Sequence, residues 1–499
     1  MKTDANRRKE RTLTADSRHR WIALVLLCMG SLMIVLDTTI VNVALPSIRS
    51  SLHFSQTSLA WVVNAYMLTF GGFLLLGGRL GDHFGHRRLF IGGILLFTLA
   101  SLACGLSTTQ GMLVAARAVQ GFGGAIVSAV SLSLIVSLFV EPAERVKAMG
   151  VFGFVAAGGG TLGVVLGGVL TDLLTWHWIF LVNVPIGIAV CVTSAWLLPA
   201  SRAAHSGGRL DATGAVIVTT GLMLAVYAIV NGNQVGWLSA RTVSLLAGSA
   251  ALLVAFLAVE SRVRSPLMPL GLFRRRNLAT ANVVGVLWAA AMFAWFFLSA
   301  LYLQLVLGYS PLQVGLAFVP ANAIMAALSL GLSAKLVMRF GIKRPLVGGL
   351  TLAAVGLALL ARASVNGHYL TGVLPSMILL GFGAGAAFNP LLMAAMGDVE
   401  QSEAGLASGI VNTSFMMGGA LGLAVLASVA ASRTNDLLAA GSSHLAALVG
   451  GYRIAFVIGA AFAALAALLA AQMLRAGAID GAVETPVDAP SRKPALADA

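Results

Sequence analysis

Apolar segments long enough to cross a membrane recur from one end of this chain to the other, and they restrict its fold more than any other feature. The chain has 499 residues, of which 58% are hydrophobic and only 10% are charged. A soluble protein would carry about 25% charged residues, so the pattern predicts a helical membrane protein rather than a large soluble core. We predict fourteen spans, at about residues 22–44, 57–77, 88–106, 111–138, 148–172, 178–198, 211–231, 242–260, 278–302, 312–334, 344–362, 371–394, 404–430 and 452–474.

The distribution of basic residues predicts the orientation of these spans. If the N-terminus lies in the cytoplasm, the inner segments contain 26 of the 32 Lys and Arg residues, including seven before residue 21. The outer loops contain five, and the last one, Arg117, lies within a span. This bias follows the positive-inside rule and places both termini in the cytoplasm. Because the basic residues are scattered over many short loops, the net charge of +14 indicates topology, and we expect no nucleic-acid partner.

A short charged hinge occurs twice between apolar segments. Gly78–Arg88 joins spans two and three, and Ala334–Arg344 joins spans ten and eleven. A leucine, a Phe-Gly pair and a basic residue recur in register, and both copies continue into Gly-Gly. A weaker similarity relates Gly121–Gly123 to Gly381–Gly383. Two related halves are typical of transporters that rock around a central binding site.

The two hinges predict a layout of six, two and six spans. The expected fold class is an all-α membrane protein with two six-helix bundles and two extra central helices, and prolines such as Pro46 are expected in linkers. The predicted segments are a cytoplasmic basic tail at 1–20, an N-terminal bundle at 21–200, two inserted helices with cytoplasmic loops at 201–277, a C-terminal bundle at 278–475 and a disordered cytoplasmic tail at 476–499.

The first hinge resembles the signature loop of the major facilitator superfamily, Gly-x-Leu-Ala-Asp-Arg-x-Gly-Arg-Lys. Histidines stand at two positions where that pattern usually has arginine. Further stretches resemble the fourteen-helix drug:proton antiporter branch, namely Leu36–Pro46, Arg117–Gly121, the glycine-rich part of span five and Trp178–Gly187. The resemblance covers about residues 20–475 and implies the major facilitator fold. The matching hinge residues are Gly78, Leu80, Asp82, Gly85 and Arg87, and the two histidines are His83 and His86.

The resemblance implies that the first hinge is a cytoplasmic gate. In the family, the carboxylate that matches Asp82 helps to latch the two halves together on the inner side. The second hinge has Met338 at this place, so it cannot form the same latch. The predicted gate residues are Gly78, Asp82, Gly85, Arg87 and Arg88.

Span five carries a row of glycines that leaves one face nearly bare of side chains. Small residues let helix backbones approach closely in lipid. One interpretation is a plain packing interface, and the other is a sliding or bending surface between the two halves. The antiporter motif of the family usually reads Gly-Pro-x-x-Gly-Gly, whereas Val164 replaces the proline here. The glycines of this face are Gly159, Gly163, Gly167 and Gly168.

Asp37 and Arg117 are the two clear charges deep within spans. An Asp at a helix centre costs roughly 2.5–3.5 kcal/mol on insertion scales, so it is usually functional. A helix rises about 1.5 Å per residue, which places Asp37 about 22 Å from the inner face and Arg117 about 9 Å from the outer face. Because the hydrocarbon core is about 30 Å thick, the two residues lie at the same depth. Burial favours the protonated form of an Asp and a nearby Arg favours the ionised form, so the pair could exchange a proton. The alternative is a static ion pair that only fixes helix register.

The resemblance gives this pair a role in proton coupling and cation recognition. In the family, the matching Asp is associated with proton coupling or with cation binding, and the matching Arg with proton transfer. Polar residues within the spans are predicted either to hydrogen-bond between helices or to line a cavity, and the candidates for the cavity are Asn42, Gln120, Asn282 and Asn412. Aromatic residues of span nine are predicted mostly to face lipid, with a cavity wall as the alternative, and these are Phe293, Trp295, Phe296 and Phe297.

Together these features predict a proton-coupled antiporter that exports hydrophobic, often cationic, drugs or toxic compounds across the bacterial cytoplasmic membrane. No phosphate-binding loop for ATP occurs, so the energy source is an ion gradient and no cofactor is expected. The expected partners are small hydrophobic or cationic molecules, protons and the lipid bilayer, and the chain is expected to act as a monomer. A dedicated exporter of one antibiotic, siderophore or amino acid is the alternative.

A membrane sensor or a lipid-modifying enzyme is the more distant alternative. The histidines all lie in loops or at span ends, and the three cysteines have no ligand-type spacing, so neither an enzyme nor a metal site is expected.

Overall fold

A computed structural model describes residues 2–139, 141–198, 211–263, 266–397, 399 and 403–474. The predicted tail 476–499 and the predicted boundary between residues 200 and 201 lie outside these residues. Every regular element within them is helical. The helices are α1 (Lys2–Leu52), α2 (Trp61–Phe84), α3 (His86–Gly105), α4 (Gln110–Leu138), α5 (Pro142–Leu173), α6 (Trp178–Leu181), α7 (Asn183–Leu197), α8 (Ala212–Val235), α9 (Ala240–Glu260), α10 (Arg276–Leu301), α11 (Pro311–Ala327), α12 (Ser333–Phe340), α13 (Lys343–Leu360), α14 (Leu374–Met396), α15 (Ala404–Ala439) and α16 (His444–Met473).

Within the described part of the chain, thirteen helical segments are long and apolar enough to cross a membrane. The fourteenth predicted span corresponds to α11, which is too short alone. It continues without a break through a π-helical turn at Leu328–Leu332 into α12. A π-helical turn changes the hydrogen-bonding register but does not end the helix, so fourteen crossings fit the structure.

The repeated hinge has the same backbone form in both copies. Gly85 ends α2 with a positive φ of 93°, and its N–H donates to the carbonyl of Gly81 at 2.9 Å. Gly341 ends α12 with a φ of 72°, and its N–H donates to the carbonyl of Val337 at 2.8 Å. Glycine adopts this conformation without the cost that a β-carbon would impose, which is why it ends both helices.

Helix packing also repeats between the first six and the last six spans. In the first half α1 packs on α5 and α3 on α4, and in the second half α10 packs on α15 and α13 on α14. The halves meet through α2 with α15 and α5 with α11. The inserted helices α8 and α9 pack on each other, and α8 also contacts α2 and α15. The inserted pair therefore lies beside the junction of the two halves.

The prediction that Pro46 lies in a linker is wrong, because Pro46 lies inside α1. A proline removes one backbone donor from a helix, but a neighbouring side chain can satisfy the disturbed carbonyls in a membrane. In the turn before Pro46, the carbonyl of Val43 accepts a hydrogen bond from Gln304 Nε2 at 2.7 Å. This bond comes from the other half of the protein.

Candidate functional site

Asp37 lies in the middle of α1 and is fully buried. Its Oδ2 accepts a charge-assisted hydrogen bond from Arg117 Nη1. Its Oδ1 accepts one from Gln120 Nε2 at 2.6 Å and a longer one from Asn183 Nδ2 at 3.4 Å. Both carboxylate oxygens therefore have donors, which is the arrangement that a buried ionised group requires.

Arg117 is held on several sides by α2, α4 and α6. The residue is 1% exposed, and its Nε donates to the carbonyl of Val62 at 2.9 Å. Its guanidinium carbon lies 4.4 Å from the ring centroid of Tyr66 and 5.6 Å from that of Phe180. A cation over an aromatic face is stabilised when it is shielded from water. Arg117 therefore keeps favourable contacts that do not depend on Asp37.

Gln120 connects the two charges to α3. Its Oε1 accepts from Arg117 Nη1 at 2.6 Å, and its Nε2 donates to both Asp37 Oδ1 and Ser101 Oγ, the latter at 2.8 Å. It lies one helical turn after Arg117 on α4, so both side chains project from the same face. Of the four candidates for a cavity wall, Gln120 belongs instead to this buried network.

The contact between Asp37 and Arg117 follows the prediction from their depths in the membrane. Their roles in proton coupling and cation recognition stay predictions. The sequence reasoning missed Ser101 and Asn183 as members of the network. Asn183 lay within Trp178–Gly187, a stretch singled out only by its resemblance to the antiporter branch.

The buried pair has a simple chemical property. When Asp37 is ionised, its charge is compensated by Arg117, and the pair is neutral as a whole. A proton on Asp37 removes that compensation and leaves the guanidinium with neutral partners, which are the carbonyl of Val62, Gln120 Oε1 and the rings of Tyr66 and Phe180. Asp37 is fully buried in this conformation. A link between proton binding at this pair and the conformation of the protein stays a prediction.

The first hinge shows two contacts of its basic residues in the described part of the chain. Arg87 Nη2 donates to the carbonyl of Ala195 on α7, within the same half. Arg79 donates to the carbonyl of Pro266 in the loop after α9. The side chain of Asp82 lies outside the described residues, so its latching role stays a prediction. Of the other predicted gate residues, Gly78 is half-buried, Gly85 forms the end of α2 and Arg88 is exposed.

The glycine face of α5 is divided between two partners. A methyl group added at Gly159 would lie 3.0 Å from the side chain of Leu32. One added at Gly167 would lie 2.8 Å from the carbonyl of Ile40, and one added at Gly163 would overlap the side chain of Thr39. All three neighbours belong to α1 of the same half. Of the four predicted glycines, Gly168 faces the other half, where an added methyl group would lie 2.8 Å from the carbonyl of Pro311. Gly168 therefore faces the other half and the other three glycines face α1, and a sliding or bending role for this face stays a prediction.

The three remaining candidates for a cavity wall bind within their own helices. The side-chain amides of Asn42, Asn282 and Asn412 donate to the carbonyls four residues earlier, at 3.2, 2.8 and 3.0 Å. Asn42 and Asn282 are buried, and Asn412 is half-buried. Asn282 Oδ1 is buried with no hydrogen-bond partner. A lining role for these residues stays a prediction.

The prediction that the aromatic residues of α10 mostly face lipid is wrong. Trp295, Phe296 and Phe297 are 1%, 7% and 1% exposed. The helix is covered by α14, α15 and α16, so these three side chains have protein rather than lipid around them. Phe293 is half-buried, with its ring 6.1 Å from that of Phe415 on α15.

Comparison with known proteins identifies the family of this fold. The model of the Major Facilitator Superfamily matches residues 27–423. The chain belongs to the Major Facilitator Superfamily. Members of the Major Facilitator Superfamily are transporters, so the chain is a multi-span membrane transporter and not an enzyme, and it needs no cofactor.

Relatives and solved structures extend this assignment to the length of the chain. The puromycin resistance protein pur8 of Streptomyces alboniger is 41% identical over 91% of this chain and 90% of its own length. The cephamycin export protein CmcT of Amycolatopsis lactamdurans is 40% identical over 88% and 89%. An inward-facing bacterial homolog of the human lysosomal transporter Spinster superposes with a TM-score of 0.65 at 15% identity, covering 91% of this chain and 98% of its own. These similarities support the drug-efflux branch and the major facilitator fold.

Proposed function

We propose that this transporter is a proton-coupled antiporter that exports hydrophobic, often cationic, drugs or toxic compounds across the bacterial cytoplasmic membrane. In this proposal it works as a monomer with both termini in the cytoplasm. The observation that carries the proposal is the fully buried carboxylate of Asp37, held by Arg117 and Gln120. An intramembrane carboxyl group is costly to bury, so its presence supports a role in transport.

The proposed cycle uses the proton to change the partners of Asp37. A proton from outside neutralises Asp37 when the packing opens on that side, and Arg117 then keeps only its neutral partners, among them Val62 and Gln120. A cationic substrate held by the carboxylate loses its counter-charge and leaves. Release of the proton to the inside restores the ion pair and the affinity for the next substrate.

The printed names of the relatives support export of antibiotic-like molecules. Pur8 is named for resistance to puromycin, and CmcT for the export of cephamycin. A multidrug resistance protein, Stp of Mycobacterium tuberculosis, is 36% identical over 83% of this chain and 77% of its own length. The name of Stp refers to many drugs, and this favours a site that accepts more than one kind of molecule.

A dedicated exporter of one antibiotic is the second candidate function. The names of pur8 and CmcT each refer to a single compound, and this favours a narrow substrate range. A competition panel separates the two candidates. Inhibition of dye efflux by many unrelated drugs would support the multidrug transporter, whereas inhibition by one compound class would support the dedicated exporter.

The test of proton coupling is efflux from vesicles with an imposed pH gradient. We expect wild-type protein to transport a cationic dye, and a protonophore to stop it. Asp37→Asn should lose the gradient-driven transport almost completely, because the amide cannot bind or release the proton. Asp436→Asn, which changes an exposed acid in the last turn of α15, is the matched control and should transport like wild type.

The same experiment tests the alternative of a static ion pair. A static pair predicts that Asp37→Asn folds less stably but transports at the wild-type rate per folded molecule. That result, with normal amounts of protein in the vesicles, would refute proton coupling through Asp37.

A further inference from the structure

Two carboxyl groups meet at the predicted cytoplasmic ends of the inserted helices. Asp211 caps the start of α8, and its Oδ1 accepts a hydrogen bond from the N–H of Gly214 at 2.8 Å. Glu260 is the last residue of α9, and its Oε2 accepts one from the N–H of Met268 at 3.1 Å. Each carboxyl group therefore uses one oxygen to hold a segment of backbone.

The second oxygen of each group has no hydrogen-bond partner. Asp211 Oδ2 and Glu260 Oε1 are both buried, and the two residues are only 4% and 3% exposed. Both oxygens lie beside Gly214, where an added methyl group would be 2.7 Å from one and 3.0 Å from the other. Both oxygens lie within 3.0 Å of the same point beside Gly214, so the two carboxyl groups are immediate neighbours.

The surroundings of the two acids are mainly apolar. Leu76 of α2, Ala215 of α8 and Leu267 of the following loop pack together at this end of the bundle. Among the described residues, no salt bridge reaches either acid. Three described charged residues of the neighbouring elements have other partners or face solvent. Arg79 of α2 donates to the carbonyl of Pro266, Arg262 is exposed, and Glu403 before α15 pairs with Arg275 at 3.0 Å.

These contacts decide which ligand suits the pair. Two ionised carboxylates this close, without a cation, would repel each other in a buried place, so one of them favours the neutral form. A metal ion such as Ca²⁺ would need about six to eight oxygen ligands, whereas the other groups that bind these acids are backbone N–H donors. One proton shared by the pair satisfies both free oxygens at once.

We propose that Asp211 and Glu260 form a proton-binding carboxyl pair at the cytoplasmic ends of α8 and α9. The pair is separate from Asp37, and the proposal does not depend on the mode of transport. It holds Met268 against the end of α9, and the nearby Pro266 is bound to the first hinge through Arg79. The proton thus ties the inserted helices to the inner end of α2.

The test compares thermal unfolding of the purified full chain in nanodiscs at about pH 5.5 and about pH 8.5. The folded pair holds a proton that the unfolded chain releases, so it stabilises the fold at low pH, and this stability is lost as the pH rises. Glu260→Gln and Asp211→Asn replace the shared proton by amide hydrogens, and Asn remains a good helix cap. Between the two pH values, we expect the melting temperature of wild type to fall about 2–4 °C more than that of either variant.

Asp436→Asn changes an exposed acid and should keep the pH response of wild type. A parallel response of wild type and both amide variants would overturn the proposal. Recovery of the wild-type melting temperature at about pH 8.5 on addition of Na⁺, Mg²⁺ or Ca²⁺ would also overturn it, because the pair would then be a cation site.

An infrared measurement keeps the proposal testable if the amide variants do not fold. In Asp37→Asn protein at about pH 7, exposed carboxyl groups with pKa values near about 4 are ionised. A carbonyl band of a buried carboxylic acid should persist in this protein and disappear at higher pH. Absence of the band would overturn the proposal, and neither measurement requires transport activity.

Discussion

At the scale of single residues, the site depends on an amide as much as on its two charges. Gln120 accepts from Arg117 and donates to Asp37, so it fixes the position of both without carrying charge itself. Ser101 holds the same amide from α3. A neutral group that can both donate and accept is well suited to a carboxyl group that changes its protonation, because the Oε1 of Gln120 can accept from protonated Asp37 after a small rotation.

Gln120→Leu tests this role. The substitution leaves Asp37 Oδ1 with only the long bond from Asn183, and an unsatisfied buried acceptor costs about 1–3 kcal/mol. We expect a lower melting temperature and a loss of most proton-driven efflux. Ser101→Ala removes one hydrogen-bond acceptor of the Gln120 amide. It should lower the free energy of unfolding by about 1 kcal/mol and retain most of the efflux. Wild-type efflux per folded Gln120→Leu molecule would show that the amide only supports the fold.

The partners of the site could be predicted from sequence only in part. Depth in the membrane can be counted along a helix, so the meeting of Asp37 and Arg117 was predictable. The bonds of Ser101 and Asn183 depend on how α3 and α7 are rotated about their axes, which packing between helices decides. Helix rotation also explains why the prediction that Trp295 faces lipid was wrong. On a helix that is apolar all round, the sequence around an aromatic residue is the same whether that residue faces protein or lipid.

At the scale of helices, the spacing of glycines selects the partner of α5. Gly159, Gly163 and Gly167 are four residues apart and form one stripe, which α1 covers. Gly168 is the next residue, about 100° further around the helix, and it faces α11. On the other side of this junction, a methyl group added at Gly315 would lie 2.5 Å from the carbonyl of Val164. Backbones of the two halves therefore touch directly at this crossing.

Gly168→Ala should disturb the contact between the halves. Its methyl group meets backbone atoms of Pro311 and Leu312 that cannot move aside easily, and overpacking of this kind costs about 1–3 kcal/mol. We expect a lower melting temperature and greater labelling, by a thiol reagent, of a cysteine placed at Ser310. The predicted outer ends of the halves would then be apart more often.

Gly158→Ala is the matched control for this prediction. It lies on the same helix, and an added methyl group there meets no other atom within 4 Å. Alanine is a better helix former than glycine, so this variant should be as stable as wild type or slightly more stable. Equal labelling in Gly168→Ala and Gly158→Ala would contradict a close contact between the halves at Gly168.

At the scale of the whole molecule, side-chain hydrogen bonds between described residues join the two halves at the predicted outer end. Gln304 binds the carbonyl of Val43, and the hydroxyl of Ser310 lies 3.5 Å from Asp172 Oδ2. The major facilitator fold and its six, two, six layout were predictable, because the repeated hinge and the apolar segments record them in sequence. The choice between open and closed ends was not, because one sequence must stabilise both conformations with a small difference in free energy.

Joining the outer ends permanently should stop transport. Cysteines at Asp172 and Ser310, in a background without Cys28, Cys104 and Cys191, can be linked by a short reagent that reacts with two thiols, since the native side chains are in contact. A transporter that alternates between two conformations cannot complete its cycle when one of them is fixed. We expect dye efflux to fall to the level of empty vesicles after linking, and each single-cysteine variant treated in the same way should keep its activity. Cleavage of a disulfide-containing linker by a reductant should restore efflux. Undiminished efflux from fully linked protein would show that α5 and α11 need not separate at this end during transport.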